Sequence, residues 1–379
     1  MSLISAFLRS LSLLESYYLD RLRKVYINVT ARCNSRCLYC ETHALDHRED
    51  LTLRAVLTLL DECESLGVRN VQLAGGEPFC RKDIWEILRN IADNSLSCII
   101  DTNGLMVQDF TSQELELISR SVAELEISLD SPREETHDFL RGRTGAFRRT
   151  VKGLEKLTIL SNLRVVIFSV ITRYNFRHIP DLVSFVRELG YKDLWFLPLL
   201  IDSNYPMIKT RQRKTELLVE KHEFRELEEV IDRSMEIARA LSVRTNLSFI
   251  RSWMPFFFES QLCEMNMFDN ESLIRHFCCV VPFESVYVSY RGGVQPCAML
   301  PECGNLAGSS LAKELERIDP LKRALKKGDF PEECRYCMCQ FETNLKFSIL
   351  NSPLANRRHL TGYLARMLAD ARPRRHADE

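Results

Sequence analysis

The stretch Cys33-Asn34-Ser35-Arg36-Cys37-Leu38-Tyr39-Cys40 decides how this chain folds and what it can hold. It follows directly on Lys24 to Val29, a run whose apolar and polar residues alternate as in a strand. Three cysteines at x3 and x2 spacing put three thiolates on one short loop. Three thiolates hold three irons of a four-iron cubane and leave the fourth open, whereas a fourth cysteine would saturate the cluster and favour plain electron transfer. The competing use of the same thiols is a structural zinc knuckle, which is usually closed by four ligands. His43 and His47 lie near enough in sequence to serve it. The surroundings of the loop decide between the two.

A chain of 379 residues favours roughly two to three domains. Hydrophobic residues at 45% and charged residues at 27% are those of an ordinary globular protein. Lysine plus arginine, 51, nearly equals aspartate plus glutamate, 52, so no net field recruits nucleic acid. Fourteen cysteines with no secretory signal point to metal-bound thiolates in a reducing, cytoplasmic compartment rather than to a disulfide framework. Met1 to Leu22 carries apolar residues at helical spacing, interrupted by Arg9 and Glu15; it predicts a helix over one end of the fold and no transmembrane segment.

From Lys24 to about Pro198 short apolar runs alternate with amphipathic ones, the pattern of repeated βα units on a parallel sheet. The expected strands are Val25 to Val29, Val68 to Ala74, Leu96 to Asp101, Leu125 to Leu129, Leu163 to Ile171 and Leu194 to Leu197. Between them Leu53, Val56, Leu57, Leu60 and Cys63 form one helical stripe, and Ile84, Ile87, Leu88 and Ile91 another. Ile179, Leu182, Val183, Val186 and Leu189 make a third, stopped by Gly190. Cys63 and Cys98 are core packing on this pattern, and Cys80 is taken the same way. Thr210 to Arg244 predicts one or two solvated linking helices, and Ser252 to Ser260 an apolar patch.

Like the first strand, the next three expected strands each end in a motif. Gly75-Gly76-Glu77-Pro78 follows the second strand, Asp101-Thr102-Asn103-Gly104 the third, and Glu126 to Pro132, with His137 to Gly142 after it, the fourth. Together with the cysteine loop, in which Tyr39 fills an aromatic position before the last cysteine, these motifs resemble the radical S-adenosylmethionine (SAM) superfamily. The resemblance implies an α/β fold, a partial (β/α)6 radical SAM barrel over residues 24–200, fewer units than the eight of a closed barrel, with its site at the C-terminal strand ends. It implies a 4Fe-4S cluster on Cys33, Cys37 and Cys40, with SAM chelating the open iron. It further implies SAM contacts from Tyr39, Gly75, Gly76, Glu77, Pro78, Asn103, Ser128 and Arg141, the arginine suiting a carboxylate through its planar fork. Asp130 is either structural or turned to substrate.

The last third holds a second cysteine field. Ser285 to Tyr290 and Val294 to Leu300 flank Arg291-Gly292-Gly293 as a β-hairpin, and Leu311 to Lys327 predicts a helix. A cysteine before the hairpin, one after its turn and a later CxxC resemble the family's twitch domain, a shortened form of the SPASM domain. One auxiliary 4Fe-4S cluster on Cys279, Cys297, Cys334 and Cys337 is the implied use, with Cys278 or Cys339 as alternatives and zinc as the competing metal. The domain plan is an N-terminal helix at 1–23, the barrel, a helical insertion at 201–277, an α+β twitch/SPASM-like domain at 278–345, and a helix and tail at 346–379.

The resemblance implies reductive cleavage of SAM to a 5'-deoxyadenosyl radical that takes hydrogen from a substrate, with electrons from a flavodoxin- or ferredoxin-type reductant. A two-electron dehydrogenation of a small molecule such as a sugar or cyclitol is the preferred outcome. Modification of a peptide is the alternative, disfavoured because only some twenty residues precede the first strand. A noncatalytic iron-sulfur or zinc protein is the alternative of another class.

Overall fold

The computed structural model describes residues 12–46, 49–199, 216–252, 254 and 278–336. Within them the six expected parallel strands are present: β1 Lys24–Thr30, β2 Asn70–Gly75, β3 Ser97–Thr102, β4 Val122–Ser128, β5 Arg164–Ile171 and β6 Asp193–Pro198. Each pairs in parallel with the next. The helices between them run Leu53–Ser65, Ile84–Asp93, Ser112–Ser121, Ala146–Leu157 and Ile179–Glu188, and an additional helix, Glu134–Arg141, follows β4. The α/β fold with a parallel sheet is therefore as expected.

The sheet does not stop at six strands. After β6, the Phe224–Leu241 helix leads into β7 Arg244–Thr245, which pairs in parallel with β6. That helix was expected to be solvated. Its alternating charge covers one face only: Leu227, Ile231, Ser234 and Ala238 are buried, and its apolar side chains join the main core.

At the other edge β8 Ser285–Val288 pairs in parallel with β1 in the register Lys24↔Ser285 to Ile27↔Val288. The expected hairpin then forms from β8 and β9 Gly293–Gln295, and β10 Gly304–Asn305 closes the edge. Gly292 sits in the turn at φ +83°, a conformation that suits glycine. The order across the ten strands of the described residues is β10-β9-β8-β1-β2-β3-β4-β5-β6-β7.

Two expectations change in detail. The helix predicted over Leu311 to Lys327 is two, Leu311–Glu316 and Asp319–Lys327, because Pro320 lies in the first turn of the second. A proline lacks the N–H that a continuous helix needs there and fits a helix start instead. Residues 12–19, the described part of the N-terminal helix, place Leu13 and Tyr17 against Val280, Phe283 and Leu325, so this helix packs on the C-terminal segment.

Strand alternation gives the sheet two faces. Val25, Ile27, Val71, Leu73, Cys98, Ile100, Leu125, Ile127, Val165 and Ile167 are buried in one core with the helices, and Cys63 joins them. The opposite face carries Lys24, Tyr26, Gln72, Asp101, Glu124, Glu126 and Ser128 on β1 to β4, then Val166, Phe168, Trp195 and Leu197 on β5 and β6. This inner face is polar on one side and apolar on the other.

Candidate active site

The cysteine loop leaves β1 at its C-terminal end and is held there from three sides. Asp50 accepts from the Ala31 amide at 2.8 Å and from the Thr30 hydroxyl. Gly76 and Glu77 donate their amides to Thr30 O at 2.7 Å and Arg32 O at 2.8 Å. On the third side Arg36 and Leu38 donate to Arg141 O at 3.2 Å and Leu140 O at 2.9 Å, at the end of the Glu134–Arg141 helix.

Glycine makes these approaches possible. A Cβ on Gly76 would lie 2.2 Å from Arg32 O, and one on Gly75, at φ +127°, 2.4 Å from Thr30 O. Gly142, the left-handed cap of the helix, would put a Cβ 2.0 Å from Arg36 O. In this structure the Gly75-Gly76 pair therefore serves first to seat the loop against β2.

Cys33, Cys37 and Cys40 are part-exposed free thiols on this loop. Cys33 Sγ accepts from the Ser35 amide at 3.4 Å, and Cys40 Sγ lies 3.1 Å from Thr42 Oγ1. Burial pushes the Cys33 thiol up to about 12 and the Cys37 thiol up to about 11, the latter opposed by Arg141. Among the described residues no three His, Cys, Asp or Glu side chains are drawn around a point that would hold a single metal ion. His43 is described and His47 lies outside the described residues. The donor set fits a cluster in chemistry: three soft sulfur ligands on an anchored loop, facing the strand ends, with bound metal needed to keep such raised thiols deprotonated.

The remaining site residues divide into those engaged with protein and those left open. Glu77 is 1% exposed and turned inward, accepting from Thr102 Oγ1 at 2.8 Å, Asn103 N at 2.7 Å and Phe79 N at 3.2 Å. Burial pushes its carboxyl up to about 7 against those donors. Pro78 is buried in the turn that follows. Asn103 donates to Asn34 Oδ1 at 2.7 Å, tying the end of β3 to the cysteine loop. Ser128, at the end of β4, is half-buried, and its hydroxyl makes no hydrogen bond among the described residues.

Tyr39 donates to Asp130 Oδ2 at 2.7 Å, and Arg141 Nε lies 2.8 Å from the same oxygen as an ion pair. Asp130 is 1% exposed; its Oδ1 accepts from the Val170 amide at 3.0 Å. Its structural role is thus plain from its partners. Arg141 Nη1 reaches to 3.9 Å from Cys37 Sγ.

Sequence patterning missed the polar inner face one pleat below Ser128 and Asn103. Asp101 and Glu126 sit opposite each other on β3 and β4, and Gln72 Nε2 reaches both, at 2.5 Å from Asp101 Oδ1 and 3.3 Å from Glu126 Oε2. Burial raises the pKa of both carboxyls; Glu126 is raised further by Asp101 beside it. Burial lowers that of Lys24, against the attraction of Glu126 and Asp101. The signal available in sequence was charge at alternate positions inside otherwise apolar strands.

In the second cysteine field Cys279, Cys297 and Cys334 pack in one apolar cluster with Val281, Met299 and Leu300. Cys278 packs instead toward Leu13, Tyr17 and Phe283. Burial pushes the Cys334 thiol up to about 11. Cys337 and Cys339 lie outside the described residues, as do residues 346–379 and most of the Ser252 to Ser260 patch. Cys80 is half-buried beside Met106 Sδ at 3.8 Å. No helix among the described residues is long and apolar enough to cross a membrane.

Comparison with known proteins bears on this geometry directly. Residues 27–186 match the Radical SAM superfamily. The AdoMet-dependent heme synthase of Oleidesulfovibrio alaskensis is 23% identical over 324 residues, 83% of this chain and 80% of that protein. The GTP 3',8-cyclase of Clostridium perfringens strain 13 is 32% identical over 183 residues, 46% of this chain and 54% of that protein. Among solved structures, SuiB of Streptococcus suis bound to S-adenosylmethionine superposes with a TM-score of 0.59 at 17% identity, covering 81% of this chain and 68% of that one. anSMEcpe with bound AdoMet and a Cp18Cys peptide gives 0.53 at 18% identity, covering 83% and 86%. The last two are likenesses of fold.

Proposed function

The chain carries a domain of the radical SAM superfamily over residues 27–186, and on that premise we propose that it oxidises a small polar molecule by two electrons. The observation that carries this is the inner face of the sheet, where Asp101 and Glu126 lie one pleat below the ends of β3 and β4, with Gln72 and, at the start of β1, Lys24 deeper on the same face, beside the apolar Phe168, Trp195 and Leu197. When bound, a 4Fe-4S cluster on Cys33, Cys37 and Cys40 with SAM supplies a 5'-deoxyadenosyl radical that removes a hydrogen atom from substrate.

The residues of the chain do the rest. Asp50, Gly75, Gly76 and Gly142 hold the cysteine loop at the mouth of the inner face. Ser128, Asn103 and Arg141, at or just after the ends of β4, β3 and the Glu134–Arg141 helix, are the proposed SAM contacts. The Asp101–Glu126 pair is the proton acceptor in this scheme: the two carboxyls face each other on β3 and β4, and burial favours their protonated forms, so a proton from a substrate hydroxyl is taken up there. Cys279, Cys297 and Cys334, with Cys337, are the residues that would hold one auxiliary cluster, which would supply a site for the second electron. A flavodoxin- or ferredoxin-type protein is the proposed reductant.

Relatives named for heme synthesis and for GTP cyclisation support a small-molecule substrate. A sugar or cyclitol remains the proposed class for the hydroxyl that is oxidised. Peptide modification has the fold likeness to peptide-bound SuiB and anSMEcpe in its favour, at 18% identity.

Anaerobic reconstitution tests the scheme. About eight irons per chain, for two cubanes, and 5'-deoxyadenosine release on reduction are expected. Cys37→Ala abolishes that release, while Cys297→Ala removes about four irons and leaves SAM cleavage intact. Zinc in place of iron, without turnover, would overturn the scheme, and turnover on a peptide alone would replace the substrate class.

A further inference from the structure

Arg141 is 7% exposed and its guanidinium is divided between two neighbours. Nε lies 2.8 Å from Asp130 Oδ2 as an ion pair, its N–H making no hydrogen bond among the described residues, while Nη1 donates to Cys37 Sγ at 3.9 Å. The plane also lies 5.6 Å from the centre of the Tyr39 ring. Both the ring hydroxyl and the guanidinium are referred to the same carboxylate oxygen.

Asp130 is unusually constrained for a carboxylate at a strand end. Besides Tyr39 and Arg141, its Oδ1 takes the Val170 amide at 3.0 Å. Its carbonyl accepts from Asn175 Nδ2 at 2.7 Å, and its own amide donates to His137 Nδ1 at 3.2 Å. His137 is 1% exposed, and burial and Arg141 hold it near 4, so the ring is neutral and can accept that amide. Three segments, the cysteine loop, the Glu134–Arg141 helix and β5, therefore meet at one side chain.

We propose that Asp130 is a positioning residue that aims the Arg141 guanidinium at Cys37, and that this N–H donor raises the reduction potential of the cluster held there. The proposal rests on the radical SAM scheme above. Reduction adds one electron to the cluster, supplied by the external reductant, and so adds negative charge to its sulfurs. A hydrogen-bond donor on a ligating sulfur stabilises the reduced form more than the oxidised one. The Asp130 carboxylate offsets the cation at longer range, so what acts on Cys37 is the directed donor. Nη2 makes no hydrogen bond among the described residues and is left for a SAM carboxylate.

The test is the midpoint potential of the reconstituted cluster without SAM, followed by electron paramagnetic resonance during titration with dithionite, with iron and sulfide counted first. Arg141→Gln is expected to shift the midpoint to a more negative value, and Arg141→Lys, which keeps the charge but loses the fork, by less. Asp130→Asn is the decisive variant. Removal of a nearby negative charge would by itself shift the midpoint positive, whereas release of the guanidinium from Cys37 shifts it negative, and the negative shift is expected. A positive shift in Asp130→Asn, or an unchanged midpoint in Arg141→Gln, overturns the proposal. Where Asp130→Asn takes up no iron, Arg141→Gln against Arg141→Lys decides by the same criterion. Absence of any cluster in the unaltered protein overturns the radical SAM scheme and this proposal together; a cluster with unmoved potentials overturns this proposal alone.

Discussion

Glu77 sits in a motif expected to meet SAM, yet its carboxyl is buried and spans the ends of β2 and β3. Its raised pKa has a measurable consequence. An acid whose folded pKa lies above its unfolded value keeps its proton longer in the folded state, so stability falls as pH rises between the two. The window runs from the unfolded carboxylate range, about 4, to about 7. The loss across it is about 4 kcal/mol at most. Urea midpoints should decline over that window in the unaltered protein and decline less in Glu77→Gln, where the raised Asp101 and Glu126 carboxyls still contribute. Gly142 carries a second prediction at this scale. Alanine there meets both a positive φ of 58° and the Arg36 carbonyl 2.0 Å away, and should cost about 2 kcal/mol or more. Iron retention should fall with the melting temperature, because the carbonyl it displaces belongs to the cysteine loop.

At the scale of elements, the six parallel strands were legible because each is a short apolar run bounded by turn residues. The Phe224–Leu241 helix is packed rather than solvated because the apolar stripe inside its alternating charge, Leu227, Ile231 and Ala238, is covered by neighbours that include the Ile179–Glu188 helix, which no local pattern names. The pairing of β8 with β1 was invisible, since about 250 residues separate two runs whose partnership no local pattern encodes. Val286 is fully buried in that seam. Val286→Asp places an unpaired carboxylate there and should destabilise by about 3 kcal/mol or more. Amide exchange should quicken in β1 and β8 together.

For the whole molecule, the important division is between the mouth of the inner face, built from loops, and its floor, built from strand side chains. The floor carries the proton acceptor of the proposed reaction. Glu126→Gln should lower product formation by roughly 10²- to 10⁴-fold, with 5'-deoxyadenosine release continuing as uncoupled cleavage. Equal loss of both would place Glu126 in cofactor binding instead, and the ratio of product to 5'-deoxyadenosine measures the difference. The second cysteine field joins this assembly through β8, so Cys279 and Cys297, the proposed auxiliary ligands, flank strands that extend the same sheet.

By itself the sequence determined the strand repeat, the loop that bears Cys33, Cys37 and Cys40, and the glycines that let backbone meet backbone, because period, spacing and conformational permission are local properties. Only the tertiary structure decided that Glu77 and Asp130 turn inward, that Arg141 faces Cys37 as well as Asp130, and that Asp101, Glu126, Gln72 and Lys24 share one face. Burial and partnership are set by segments far apart in the chain, and those two quantities control the charge state of a buried side chain.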